Sequence, residues 1–270
     1  MPSENRVDLQ IKHCVAYVRL NRTDKRNAID MTMFKAVADT IKTLRKNRGI
    51  RAVIVSGEGE DFCSGLDVKS VMKNNKNPLK LLYKINPWGS NLAQQVSVGW
   101  QQIPVPVIMV IHGRCWGGGL QIALGGDMRI ATPDASLSIM EGRWGLIPDM
   151  GGTLAFRTLG RMDLTKELAM TAAVIDTPPA QKAGWITHVS EDPMAQAEAM
   201  ATTISQQSPD AVAAVKKLYN RSWQGSSGWA LLRESWYQLR ILLGKNFRTK
   251  VHSQTHDEDN QRPFQARKKW

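Results

Sequence analysis

Val107-Ile108-Met109-Val110-Ile111-His112-Gly113-Arg114-Cys115-Trp116-Gly117-Gly118-Gly119-Leu120-Gln121 is the stretch on which the fold turns. Its first five residues, entered through Pro104-Val105-Pro106, form the unbroken apolar run of a strand covered on both faces, and His112-Gly113 stop it. Three glycines then open a helix expected over 117–124. The first N–H groups of that helix have no partner within it and are free to face a negative centre. Upstream, 14–20 reads as a strand, 21–27 as a polar loop and 52–56 as a short buried strand running into the loop 57–61. Between them Met31, Phe34, Val37, Ile41 and Leu44 recur at three- and four-residue steps, which places them on one helical face. Downstream, 127–131 and 136–139 read as two more strands. Strands alternating with helices to about residue 140 make this an α/β chain built from β-α-β-like units. Past Gly151 the pattern is helical: 165–173, 195–206, a run from the Ser208-Pro209-Asp210 cap to 218, and an amphipathic stretch over 228–243.

Composition narrows the class. The 270 residues are 42% hydrophobic and 22% charged, with 21 Gly and 12 Pro, which excludes fibrous and low-complexity chains. The apolar run at 107–111 is far below the roughly 20 residues that cross a bilayer. The opening Met1-Pro2-Ser3-Glu4-Asn5-Arg6 is polar where a secretory signal is apolar, so a short arm and a cytoplasmic protein are expected. Cys14, Cys63 and Cys115 are odd in number and form no C-x-x-C pair, which fits a reducing compartment and the role of small buried hydrophobes. The net charge of +12, from 36 basic and 24 acidic residues, suggests an anionic partner without choosing among nucleic acid, membrane surface and a phosphate-rich small molecule. In 245–270, Lys245, Arg248, Lys250, Arg262, Arg267, Lys268 and Lys269 outnumber Asp257, Glu258 and Asp259, and read as a solvated basic tail.

Phosphate-loop, dinucleotide-binding, zinc-protease and serine-hydrolase motifs are all missing, and His13, His112, His188, His252 and His256 show no ligand spacing, so no metal site is expected. Three local features remain. In Asp61-Phe62-Cys63-Ser64-Gly65-Leu66-Asp67, small residues at a strand exit permit close backbone approach. In Gly117-Gly118-Gly119, free helix N–H groups are on offer; two such donors converging on one point form an oxyanion hole. Taken singly, each glycine cluster also reads as plain turn chemistry. The third, Glu141-Gly142-Arg143-Trp144-Gly145-Leu146-Ile147-Pro148-Asp149-Met150-Gly151-Gly152, carries two carboxylates around Gly and Pro turns. Burial lifts a carboxylic acid toward neutrality and suits it to proton transfer. The plainer reading makes Asp149 a cap of the next helix and Glu141 a surface residue. Nine tryptophans, Trp88, Trp100, Trp116 and Trp144 among them, fit either a bulky pocket or a core.

Together these pieces resemble the enoyl-CoA hydratase/isomerase (crotonase) family, in order from about Cys14 to Leu218. The matching residues are 18–22 with Arg26-Asn27-Ala28, then 62–67, then 117–119 with 124–131, and lastly Gly145-Leu146-Ile147-Pro148 with Gly151-Gly152-Thr153. The resemblance implies a spiral of β-β-α units over 1–194, carrying the CoA and acyl sites, and a helical oligomerisation region over 195–270. It implies that the N–H groups of Leu66 and Gly118 hold the thioester oxygen of an acyl-CoA. Lys25, Arg26 and Ala28, with Asp67 and Val68, would lie along CoA, which is part of the substrate; no other cofactor is implied. A homotrimer or dimer of trimers is implied as well. Two positions depart from the hydratase pattern, and the first is Gln121, which stands where hydratases carry a second glutamate. A glutamine positions water or substrate but moves no proton. Asp149 stands where hydratases generally carry glycine, and the pair Glu141 and Asp149 resembles that of dienoyl-CoA isomerases. Double-bond isomerisation is therefore the expected activity, with hydration of trans-2-enoyl-CoA as the alternative. RNA binding, as in an RNA-binding member of the family, is a further alternative that the scarcity of basic clusters with exposed aromatics disfavours.

Overall fold

The computed structural model describes residues 5–255 and 262–270; the arm at 1–4 and the acidic residues Asp257, Glu258 and Asp259 lie outside them. In chain order the elements are β1 (Val7–Lys12), β2 (Val15–Leu20), α1 (Met31–Lys46), β3 (Ala52–Gly57), α2 (Val68–Met72), α3 (Lys76–Leu82), α4 (Leu92–Val98), β4 (Val107–Ile111), β5 (Arg114–Trp116) and α5 (Gly118–Leu124). There follow β6 (Met128–Ala131), β7 (Ser136–Ser138), α6 (Gly152–Leu159), α7 (Met162–Thr171), β8 (Val174–Asp176), α8 (Thr177–Lys182), β9 (His188–Val189), α9 (Pro193–Ser205), α10 (Pro209–Ser222), α11 (Ser227–Leu242) and α12 (Lys245–Thr255).

Two sheets organise the chain. Six strands in the order β1-β2-β3-β4-β6-β9 form the larger and β5-β7-β8 the smaller. The successive units β4-β5-α5 and β6-β7 each give their first strand to the large sheet and their second to the small one, which is the expected spiral. Apart from the β1-β2 hairpin, the large sheet is parallel. Alternation within its strands explains the double burial. Val53 and Val55, with Val107, Met109 and Ile111, face the main core beside α1. Ala52, Ile54, Ile108, Val110 and Ile130 face Ala197 and Ala201 of α9. Helix α1 starts at Asp30, whose carboxylate accepts the Met33 N–H at 2.7 Å, and buries Met33, Phe34, Val37, Ile41 and Leu44 as their spacing predicts.

Several expectations need correcting. Strands β1, β5, β8 and β9 lie outside the strands read from the sequence, and β8 and β9 interrupt what reads as continuous helix after Gly151. Cys14 is exposed: with His13 it forms a two-residue hairpin turn at φ 64° and 47°. Cys63 and Cys115 are buried as expected and pair across a β-bridge. The division at 194/195 falls inside α9, a helix that covers a face of the sheet and belongs to the core.

The basic tail is solvated only in part: Lys245, Arg248, Arg262 and Lys269 are exposed, whereas Arg267 is buried and the chain around it is tied down. Asp210, itself buried, accepts the Lys268 N–H at 2.7 Å, the Trp270 indole N–H at 3.3 Å and the Asn246 amide at 2.9 Å. Arg267 is 2% exposed and donates to the Asn47 carbonyl at 2.9 Å, which folds 262–270 back against the end of α1. Helix α10 is fastened by buried Lys216, whose Nζ lies 2.6 Å from Asp127 and also donates to the carbonyls of Trp100 and Val105. No helix among the described residues is long and apolar enough to cross a membrane.

Candidate active site

Two strand exits are stitched into one corner. Phe62 N–H donates to His112 O (2.9 Å), Cys63 N–H to Arg114 O (2.9 Å) and Trp116 N–H to Cys63 O (3.0 Å). Asp61, buried, reinforces the seam by accepting from the Arg114 N–H at 2.8 Å and its guanidinium at 3.1 Å. Asn27 draws in the 22–27 loop: its amide donates to the carbonyls of Glu58 and Asp61, and its oxygen accepts the Arg22 N–H. Gly65 runs at φ 95°, and a Cβ there would lie 2.8 Å from Trp116 O and 3.6 Å from Gly118 N, so only glycine lets the two exits close.

That closure decides where the free N–H groups point. Leu66 bridges Ile29 in parallel: Ile29 N–H donates to Gly65 O and Asp67 N–H to Ile29 O, which leaves the Leu66 N–H facing away from this bridge. Gly118 is the first residue of α5, and its N–H has no helical acceptor. Leu66 and Gly118 line one cleft of about 50 Å³, together with Met140, Glu141, Trp144, Asp149 and Met150. Both residues thus bring a backbone N–H without a partner in its own element to one cleft.

Two carboxylates line the same cleft. Glu141 sits in a short 3-10 helix, Met140–Trp144, stopped by Gly145 in the left-handed region at φ 66°. A Cβ on Gly117 would come within 3.5 Å of Glu141 Oε1, so the carboxylate adjoins the oxyanion corner. Gln121, 1% exposed, donates from Nε2 to that oxygen at 2.6 Å. Glu141 Oε2 is buried and has no partner. Burial raises the Glu141 pKa and the nearby Asp149 charge raises it further, against the lowering effect of its own backbone and of Gln121. Asp149 lies at the exposed rim, yet its carboxyl is also raised, by the desolvation of its apolar surroundings. It does not cap α6, whose N-cap is Gly151, with no side-chain cap.

Gln121 is placed differently from the expectation. Its carbonyl oxygen accepts the N–H groups of Met150 (2.9 Å) and Gly152 (3.0 Å) while its nitrogen holds Glu141. It anchors the glutamate and the 150–152 turn and does not line the cleft, so it positions protein groups rather than water or substrate.

Outside the cleft opens a basin of about 580 Å³ lined by Lys25, Arg26, Arg114, Arg143, Trp116 and Trp144, and sharing Ser64, Leu66, Met140 and Trp144 with the inner cleft. It offers four cations against Asp24 alone. Of the expected CoA contacts, Lys25 and Arg26 line this basin and Val68 the cleft. Ala28 and Asp67 line neither. Asp67 caps α2 through the Ser70 N–H and pairs with Arg22 at 2.9 Å; these hold its pKa below the usual range although burial works to raise it. Arg114 and Arg143 were not legible as contacts, since nothing local distinguishes them from other surface arginines. Trp116 and Trp144 take the pocket role, whereas Trp100 is core and Trp88 is 95% exposed. No group of three or more His, Cys, Asp or Glu among the described residues is placed to hold a metal ion.

Comparison with known proteins agrees with this geometry. The chain is 32% identical over 229 residues to YngF of Bacillus subtilis (strain 168), whose name gives enoyl-CoA hydratase/isomerase as a provisional description, covering 83% of this chain and 85% of that protein. It is 31% identical over 221 residues to the mitochondrial Delta(3,5)-Delta(2,4)-dienoyl-CoA isomerase of Mus musculus, covering 78% and 67%. It is 29% identical over 191 residues to the mouse mitochondrial methylglutaconyl-CoA hydratase, covering 68% of this chain and 59% of that one. The fold superposes on an enoyl-CoA hydratase crystal structure from Mycobacterium smegmatis with a TM-score of 0.84 at 23% identity, over 96% of this chain and 98% of the other. A family model described as Enoyl-CoA hydratase/isomerase matches residues 10–235. With the spiral fold and a family match that runs through most of its length, this chain belongs to the enoyl-CoA hydratase/isomerase family.

Proposed function

We propose that the chain shifts the double bonds of a 3,5-dienoyl-CoA into conjugation with the thioester, with Glu141 as base, Asp149 as acid and the Leu66 and Gly118 N–H groups on the thioester oxygen. Glu141 takes a proton from C2, and the C–H pair moves into the conjugated system as a dienolate. The negative charge then on oxygen is stabilised by the two fixed donors, each worth roughly 3 to 4 kcal/mol in comparable sites. The double bonds move to C2 and C4 as Asp149 delivers a proton to C6, so no atom or electron is left over. Coenzyme A is carried by the substrate, and the basin of Lys25, Arg26, Arg114 and Arg143 suits its phosphates.

The observation that carries this reading is the pair of lifted carboxyls on one cleft, with an amide at 121 between Glu141 and the Asp149 turn. Lifting makes Glu141 a stronger base and keeps more of Asp149 protonated as a donor. Relatives named both isomerase and hydratase are about equally similar, so the site chemistry, not similarity, supports the choice. The test sets crotonyl-CoA beside a 3,5-dienoyl-CoA. Asp149→Asn should lower dienoyl isomerisation by about two to four orders of magnitude. An Asp149→Asn enzyme that isomerises at the parent rate defeats the reading and leaves hydration ahead.

The reading includes self-assembly as a homotrimer or dimer of trimers. Trp229, Leu232, Trp236, Leu239 and Leu243 recur at three- and four-residue steps along α11 and are 48 to 68% exposed, an apolar stripe of the kind a second copy covers. Light scattering that finds a monomer at micromolar concentration contradicts it.

A further inference from the structure

A second basin shares no residue with the cleft. It has a volume of about 680 Å³ and lies between the end of α1, the 101–104 turn, α10 and the returning C-terminal segment. Arg45, Lys46, Arg48, Lys217, Arg221 and Lys269 line it, with Lys216 and Arg267 at its base and no Asp or Glu in its wall. Only Lys216 has an ion-pair partner among the described residues, Asp127. The arginines are held by neutral oxygens instead: Arg45 by Gln102 Oε1 at 2.9 Å, Arg48 by the Arg267 carbonyl at 2.6 Å, and Arg267 by the Asn47 carbonyl. Arg267 is 2% exposed, and its Nε has no partner. Lys217 feels the crowding: burial lowers its pKa, and Arg221 and Arg240 lower it further.

A wall of like charges with neutral partners stores repulsion that a multivalent anion relieves, and arginine forks match tetrahedral oxyanions in particular. We propose that this basin is a second ligand site, which binds a small anion carrying several clustered phosphates. A monovalent carboxylate leaves most of the charge uncompensated. Trp270 supplies an aromatic wall, so both a bare polyphosphate and the phosphate tail of a nucleotide are sources of this chemistry.

Titration calorimetry on the full chain tests it, with inorganic tripolyphosphate and with ATP, at low ionic strength and again at about 0.3 M salt. Tripolyphosphate should bind with a stoichiometry of one per chain and weaken as salt rises. Arg221→Gln with Lys269→Gln, both exposed and engaged in no side-chain hydrogen bond or ion pair, should weaken it by about tenfold or more; Lys46→Gln with Lys217→Gln is an independent second pair. Lys25→Gln with Arg26→Gln, in the other basin, should leave it unchanged. ATP binding more tightly than tripolyphosphate identifies a nucleotide as the source, and equal binding identifies the phosphate chain; both support the site. No binding by the parent chain, or a loss that follows the Lys25 and Arg26 pair instead, overturns it.

Discussion

Two carboxylates, one at the C-terminal clasp and one at the cleft, are treated in opposite ways. At the C-terminal clasp, both oxygens of Asp210 are engaged, by Asn246, the Lys268 N–H and the Trp270 indole. At the cleft, one oxygen of Glu141 is held by Gln121 and the other is buried with nothing on it. A buried polar group is ordinarily satisfied because leaving it bare costs about 1 to 3 kcal/mol. The clasp obeys that rule and serves stability. The cleft breaks it at the one oxygen free to accept a proton, which is where function is expected to reside.

The contrast is broken most severely at the cleft. Glu141→Gln keeps shape and removes the base, so turnover of the dienoyl substrate should fall by about two to four orders of magnitude. Its stability should not fall with it. A carboxyl whose pKa is raised by folding stabilises the fold only while protonated, and that contribution is lost as pH rises through the raised value. At neutral pH the charged Glu141 is thus a burden, and the glutamine variant should melt at or above the parent temperature. A variant that loses activity and melting temperature together would make Glu141 structural.

Next in size, Lys216→Ala strips the partner from Asp127 and from two buried carbonyls, and should destabilise the chain by roughly 3 to 5 kcal/mol in urea unfolding. Smaller again, Asp210→Ala leaves the Lys268 N–H and the Asn246 amide bare. It should cost about 2 to 3 kcal/mol while leaving kcat of the folded fraction untouched. Loss of kcat in folded Asp210→Ala would erase the division between the clasp and the cleft. The smallest effect is a shift in pH. Asp149 raises Glu141, so in any residual activity of Asp149→Asn the acidic limb of the rate profile should move to lower pH. Gln121→Glu places a second carboxylate where the amide donated at 2.6 Å, and should move that limb to higher pH.

How far the sequence reveals all this depends on the range of the interactions. The strand exits at 61–67 and 112–119 are legible because glycine requirements are local, and α1 is legible because its apolar spacing is. Glu141 and Asp149 stand out for the turn residues around them. Strand β9, two residues long, is a strand only because β6 lies beside it. Gln121 looked like a water-holding group because sequence shows its type but not that its oxygen meets the N–H groups of residues 150 and 152. The folded-back tail was hidden for the same reason: Arg267 meets Asn47 at a separation of 220 residues.

The two thiols behind the oxyanion corner give the molecule an internal clock. Cys63 donates to the Asn27 carbonyl and receives the Gly65 N–H, and burial pushes its pKa up to about 12 despite that bond; Cys115 beside it is raised as well. A thiol held so firmly in its protonated form does not react with disulfide reagents until the seam between the two strand exits parts. Cys14, on its hairpin turn, is exposed and needs no opening to meet the reagent. In one reaction mixture the first thiol to be modified marks time zero, and the other two record how often the corner opens.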